Sequence, residues 1–212
     1  MLPLTHTLRA KDRALSATQF WFLAICLCLA TSAYAHTGEE SANGFLAGVL
    51  HPLTGFDHLL AMVAVGIWGA TLGMPLIWVL PVAFPMLMVV GGILGIVGVP
   101  LPFIESGIAA SVVVLGAAIA LAWRAPLPLA VGIVSAFGVF HGYAHGAELP
   151  KSASPAAYVA GFVLCTGALH LAGIAIGTLQ SMPKGPQALR ASGGLIALAG
   201  LWIFAGMPGL PG

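Results

Sequence analysis

Residues 74–98 have the sequence MPLIWVLPVAFPMLMVVGGILGIVG, a stretch of bilayer length without a charged side chain. The rest of the chain is similar, since 59% of its 212 residues are hydrophobic and only 6% are charged. A soluble domain has about 25% charged residues, so this chain has too few polar groups to cover a globular surface. We therefore expect an all-α, polytopic membrane protein that lies in the lipid bilayer and lacks a large extramembrane domain.

Six apolar segments of bilayer length follow one another between short joints rich in glycine and proline. They predict transmembrane helices at 46–70, 74–98, 104–123, 126–147, 154–180 and 188–206. Tryptophans near the ends of these segments, such as Trp68 and Trp123, are expected to lie in the membrane interface. Seven Lys and Arg residues against six Asp and Glu form no basic patch, which argues against nucleic acid as a partner.

The first 35 residues have the parts of a secretory signal peptide. A basic region is followed by a short apolar run and then by the small-residue pattern A-x-A at Ala33 and Ala35. Cleavage after Ala35 would divide the chain into a signal peptide, 1–35, and a six-helix transmembrane domain, 36–212, with His36 as the mature N-terminus. The alternative is an uncleaved first transmembrane helix, for which the apolar run is short.

The few positive charges orient the predicted helices. A cleaved signal peptide places the mature N-terminus in the periplasm, so the joints near Arg124, Lys184 and Arg190 become cytoplasmic and Lys151 becomes periplasmic. Three charges inside against one outside agree with the positive-inside rule. The expected location is the bacterial inner membrane, which the chain crosses several times.

Ionisable side chains inside predicted helices carry the functional argument, because each costs about 2.5–3.5 kcal/mol on insertion scales. They belong to the motifs HPLTGFDH (51–58) and HGYAHGAE (141–148) and to one isolated histidine. In a chain with so few charges, we expect ionisable side chains within the membrane to have a function. The residues concerned are His51, Asp57, His58, His141, His145, Glu148 and His170.

The second motif has the spacing of one helix face. His141 and His145 are four residues apart and Glu148 is three further on, so the three side chains form a single stripe. Two histidines at this spacing can chelate one metal ion from one helix. The alternative is that both histidines form hydrogen bonds with neighbouring carbonyls.

The first motif has a longer spacing. His51 and His58 lie about 10.5 Å apart along an ideal helix, so one ion binds both only if the helix breaks. Pro52 and Gly55 lie between them and predict a discontinuous helix, a feature of ion sites in transporters. The alternative is a helix that starts at Pro52, with His51 in the interface. Asp57, about two turns inside the predicted span, needs a cation or a hydrogen-bond donor.

The sequence HPLTGFDHLLAMVAVGIWGA (51–70) resembles the signature of the HupE/UreJ family, and HGYAHGAE (141–148) resembles its second histidine motif. This family is associated with nickel and cobalt uptake beside hydrogenase or urease maturation. The resemblance implies a nickel or cobalt permease rather than an enzyme, with hydrogenase or urease maturation proteins as possible partners. It implies metal-ligand roles for the motif residues and agrees with a histidine at position 36.

The residues themselves indicate a divalent transition metal. Imidazole and carboxylate ligands without a thiolate pair suit nickel, cobalt or zinc and do not separate them. The ion is expected as cargo and not as a permanently bound cofactor. Ligands spread over several helices, with His36 and His170 as further candidates, favour transport. The alternatives are a membrane-embedded zinc hydrolase and a metal-binding accessory protein that transports nothing.

Overall fold

The computed structural model describes residues 39–148 and 154–206, with side chains from residue 44 onward. Every regular element in this part of the chain is helical. The predicted signal peptide, its cleavage site and His36 lie outside it. The elements are α1 (Glu39–Thr54), α2 (Phe56–Leu72), α3 (Leu76–Ile96), α4 (Ile104–Ala120), α5 (Leu127–Ala147), α6 (Pro155–Gly177), a 3₁₀ turn (Thr178–Ser181) and α7 (Gly185–Phe204).

Proline marks the start of the last three helices. Pro155 is the first residue of α6, and Pro128 and Pro186 are the second residues of α5 and α7. At these positions the fixed φ of proline suits the helix, and its missing N–H would have no helical partner. The proline-rich joints of the sequence therefore set where these helices begin.

The first predicted span is broken into two helices. α1 ends at Thr54 and α2 begins at Phe56, and their directions differ by 79°. Pro52, in the last turn of α1, cannot donate to the carbonyl four residues before it. Gly55, between the helices, has an extended backbone. The predicted discontinuous helix is present. The alternative start at Pro52 is wrong, because His51 lies inside α1.

The chain has the helices of a multi-pass membrane protein, but six full spans are not confirmed. The helices α3, α5, α6 and α7 are long and apolar enough to cross a bilayer, and the bent pair α1–α2 gives a fifth candidate. α4 has only 17 residues. The predicted span 104–123 stops early because the N–H of Trp123 bonds back to the carbonyl of Ala118 and closes the helix end.

The central helix is α2, which packs against α3, α4 and α6. Its side chains Met62, Val65 and Trp68 are fully buried. The indole N–H of Trp68 donates to the carbonyl of Trp123 at 3.1 Å. The expectation that Trp68 lies in the membrane interface is therefore wrong, because α2 is enclosed by other helices along this side.

In the described part of the chain, glycines allow four pairs of helices to touch backbone to backbone: α3–α5, α2–α6, α1–α6 and α4–α7. A Cβ added at Gly142 of α5 would overlap the carbonyl oxygen of Met88 on α3. A Cβ added at Gly66 of α2 would overlap the carbonyl oxygen of His170 on α6. Such close approach is typical of small residues in membrane helices. These contacts fix the positions of the helices that carry the histidines.

Candidate metal centre

Four histidines from three helices meet at the break between α1 and α2. His51 lies in the last turn of α1, His58 in the first turn of α2, and His145 in the last turn of α5, with His141 one turn earlier. Because the chain changes direction at Gly55, the side chains of the first motif converge on α5. They are not separated by two turns of one straight helix.

His145 connects the two histidines of the first motif. Its Nδ1 lies 2.8 Å from Nε2 of His51, and its Nε2 lies 3.1 Å from Nδ1 of His58. The other nitrogen of His58, Nε2, lies 3.4 Å from Oγ1 of Thr166 on α6. Which nitrogen donates in each pair depends on the tautomers. The result is a continuous row of imidazoles that runs from the half-buried His51 to the fully buried His58.

Three side chains at the outer end of this row can hold a metal ion. Ligand atoms of His51, His145 and Glu148 all lie within 4.8 Å of one another. The two histidines are half-buried and the carboxylate is exposed, so the group opens to the surface. Two imidazoles and a carboxylate form a ligand set that suits a divalent transition metal.

His141 does not belong to this group of three. Its Nδ1 donates to the carbonyl of Phe137 at 3.1 Å, and its Nε2 has no hydrogen-bond partner among the described residues. A neutral imidazole that donates through Nδ1 carries a lone pair on Nε2, which is how metal-ligating histidines are commonly oriented. The predicted chelate of one ion by His141 and His145 stays a prediction. The ring of His141 packs against that of His58, with 5.4 Å between centroids.

His170 lies apart from the group of three, deeper in the bundle. It is 1% exposed, and neither ring nitrogen has a hydrogen-bond partner in the described residues. The carbonyl of Pro81 interacts electrostatically with the ring but outside hydrogen-bond geometry. The ring of Phe84 lies between the two deep histidines, 5.8 Å from His170 and 5.4 Å from His141. Buried nitrogens without partners are costly, so these positions suit a ligand role.

Asp57 lies at the break of the bent pair α1–α2. It is in the first turn of α2, so it lies inside the bent pair if that pair forms one span. Its Oδ1 accepts the backbone N–H of His58 at 2.6 Å. A carboxylate at this position also suits the positive end of α2. Asp57 is outside the group of three and acts on the site through its charge and through the backbone of His58.

Sequence reasoning missed two residues of this region and undervalued a third. Phe162 of α6 packs against the row of imidazoles, with its centroid 4.6 Å from His145 and 5.1 Å from His58. Thr166, one turn further along α6, is fully buried. A hydroxyl side chain within an otherwise apolar segment is the sequence feature that could have indicated this position. Glu105, in the first turn of α4, was not among the predicted site residues, and it interacts electrostatically with Asp57 and Glu148.

Comparison with known proteins identifies the chain. The family model described as HupE / UreJ protein matches residues 23–203. The chain belongs to the HupE/UreJ family. A curated relative, Protein HupE of Rhizobium leguminosarum bv. viciae, is 44% identical over 180 residues, which cover 85% of this chain and 94% of the relative. No solved structure matches the chain.

Proposed function

We propose that this member of the HupE/UreJ family is a secondary permease that carries a divalent metal ion, nickel or cobalt, from the periplasm to the cytoplasm. The observation that supports the proposal most strongly is the cluster of His51, His145 and Glu148 at the surface end of a row of buried imidazoles. The ion would bind first at this group and then pass inward.

The number and depth of the histidines favour transport over a single fixed site. Below the surface group lie His58, His141 and His170, each 1% exposed. One ion needs only three or four of these side chains at a time. A hydrolase needs one closed set of ligands and a general base, and it has no use for imidazoles at successive depths.

The membrane potential can drive this movement without ATP. The sequence has no G-x-x-x-x-G-K-[ST] loop that would bind a nucleotide. An inward-moving divalent ion gains about 4.6 kcal/mol per 100 mV, twice the value for one elementary charge. At about 1.4 kcal/mol per factor of ten, that energy supports roughly thousandfold accumulation.

The direction of transport follows from the predicted topology. With a periplasmic mature N-terminus, the group of three faces the periplasm, and Arg124, Lys184 and Arg190 face the cytoplasm. His36, at the mature N-terminus, would add an imidazole and an α-amine at the entrance. Nickel or cobalt released inside would serve the hydrogenase or urease maturation proteins that the family resemblance implies.

Uptake by proteoliposomes tests the proposal directly. The purified protein is reconstituted, an inside-negative potential is applied, and internal nickel, cobalt and zinc are measured with time. We expect potential-dependent accumulation of nickel or cobalt. His51→Ala should reduce it, whereas Leu53→Ala, a matched change on an exposed side chain of the same helix, should not.

The outcome also separates the alternatives. Metal binding with a normal affinity but without accumulation would overturn the permease and support an accessory protein. Zinc-dependent hydrolysis of a peptide or ester substrate, lost in Glu148→Gln and not accompanied by uptake, would support an enzyme.

A further inference from the structure

A cavity lined in part by polar side chains lies at the opposite end of the bundle from the histidines. Its volume is about 180 Å³, and Thr71, Trp123, Arg124, Gln180 and Arg190 contribute to its walls. These residues come from the end of α2, the segment after α4, the 3₁₀ turn and the start of α7. No part of the metal centre reaches it, since α4 alone separates the two ends by about 25 Å.

Charges of opposite sign are separated between the two ends. Among residues with described side chains, the carboxylates are Asp57, Glu105 and Glu148, at the ends of α2, α4 and α5 that lie near the histidines. The two arginines of the cavity therefore have no acidic partner in this part of the chain. Two guanidinium groups beside one cavity without a carboxylate form a setting in which an anion can bind.

A backbone contact holds one of the two arginines in place. Nε of Arg190 donates to the carbonyl of Ala120, the last residue of α4, at 2.9 Å, which leaves both Nη groups available. Ala122 has a left-handed backbone with φ of 50°, and Arg124, two residues later, lines the cavity. Arg124 has no hydrogen-bond or ion-pair partner among the described residues. The guanidinium of Arg190 is therefore positioned by the fold, and neither arginine has a compensating charge in this part of the chain.

The other walls are also held by bonds to the bundle. Nε2 of Gln180 donates to the carbonyl of Ala70 at 2.9 Å, and the ring of Trp123 stacks on that of Trp68 at 5.8 Å. α7 begins here at Gly185, so the positive end of its dipole adds to the potential of the arginines.

We propose that this cavity binds a phosphate group, supplied either by the head group of an anionic phospholipid or by free phosphate. A guanidinium donates two parallel N–H bonds that match two phosphate oxygens, which an ammonium group cannot do. Basic pockets between membrane helices bind anionic head groups in this way. The phosphate site is independent of the proposed metal transport, and its test does not depend on the outcome of the uptake experiment.

The test compares two changes that each remove one positive charge. Arg124→Gln removes a cavity arginine that has no hydrogen-bond or ion-pair partner among the described residues, and Lys184→Gln removes a cation of the same end that does not line the cavity. Binding of phosphatidylglycerol, of the diacylglycerol with the same acyl chains, and of inorganic phosphate is measured on the purified full-length protein. Native mass spectrometry reports the lipids, and calorimetry reports phosphate.

We expect phosphatidylglycerol or phosphate to bind and diacylglycerol not to bind. Arg124→Gln should weaken the binding at least tenfold, and Lys184→Gln by less than twofold. Arg190→Lys keeps the charge but loses the guanidinium, and it should show a loss of several-fold. Binding of the lipid alone identifies a head group, and binding of inorganic phosphate alone identifies a soluble anion. Equal losses in Arg124→Gln and Lys184→Gln, or no binding of either phosphate compound, would overturn the proposal.

Discussion

The two histidine motifs differ in the backbone that carries them. HPLTGFDH (51–58) extends across the break between α1 and α2, whereas HGYAHGAE (141–148) lies on the last two turns of the continuous helix α5. On α5, helical spacing alone puts the histidines on one face. In the first motif, the side chains approach one partner only because the chain changes direction by 79°.

This difference divides the site into a part on the continuous helix α5 and a part at the break between α1 and α2. α5 is held against α3 where Gly142 meets the backbone of Met88, and α1 is held against α6 where Gly48 meets the backbone of Tyr158. The two helices of the first motif are connected through the single extended residue Gly55. We expect changes on α5 to remove function and changes at the break to tune it, because His145 contacts both histidines of the first motif.

The largest effect should come from His145, the residue that joins the two parts. His145→Ala removes a ligand of the group of three and also both bonds to His51 and His58. Loss of a residue that only orients a ligand costs about 10–100-fold, so loss of this side chain should lower nickel uptake by at least ~100-fold.

Coupling between the parts can be measured with His51→Ala and His145→Ala, singly and together. If the two side chains share an ion, the double variant should be little worse than the worse single variant. Strictly additive losses in uptake, at equal protein levels, would show that the two histidines act separately.

The fixed position of α5 is tested by Gly142→Ala. The added Cβ overlaps the backbone of Met88 and should cost about 1–3 kcal/mol, with a loss of uptake of more than tenfold. Gly132→Ala is a matched control on the same helix, since no atom lies within 4 Å of the added Cβ. The melting temperature of Gly132→Ala in detergent should equal that of the unchanged protein or be slightly higher. Equal melting temperatures of the two variants would contradict the tight contact.

The break is tested by making it helical. Pro52→Ala together with Gly55→Ala restores the missing N–H and lowers the preference for the extended backbone. We expect about a tenfold fall in metal affinity, since straightening moves His51 away from His145, while the yield of folded protein is kept. Calorimetry with nickel measures the affinity. Unchanged affinity would show that the break does not position His51.

The smallest effect is expected for Asp57→Asn. The amide keeps the shape and an acceptor oxygen for the N–H of His58, but removes one negative charge near the ion path. Loss of one partly screened charge corresponds to about 1 kcal/mol, or about fivefold in metal affinity. A melting temperature that falls with unchanged affinity would instead show a purely structural role at the start of α2.

Sequence alone predicted the membrane class and the broken helix well. Long apolar segments, proline-rich joints, and the pair Pro52 and Gly55 each act locally, so their effects can be read without knowing the packing. The partner of His51 could not be predicted, because it depends on how α5 is rotated and how it crosses α1. The burial of Trp68 was missed for a similar reason: α2 is apolar on all sides, which does not distinguish a helix enclosed by protein from one exposed to lipid.

The row formed by His51, His145 and His58 has a consequence for how quickly an ion can leave. The three rings satisfy one another's hydrogen-bonding groups, at 2.8 Å and 3.1 Å between nitrogens. An ion that binds must replace these bonds, so its net gain is the difference between metal–imidazole bonds and imidazole–imidazole bonds. In the proposed permease, the rings would recover these bonds when the ion moves on. Residence at each ligand would thereby be shortened, which suits turnover and does not suit permanent storage of a metal.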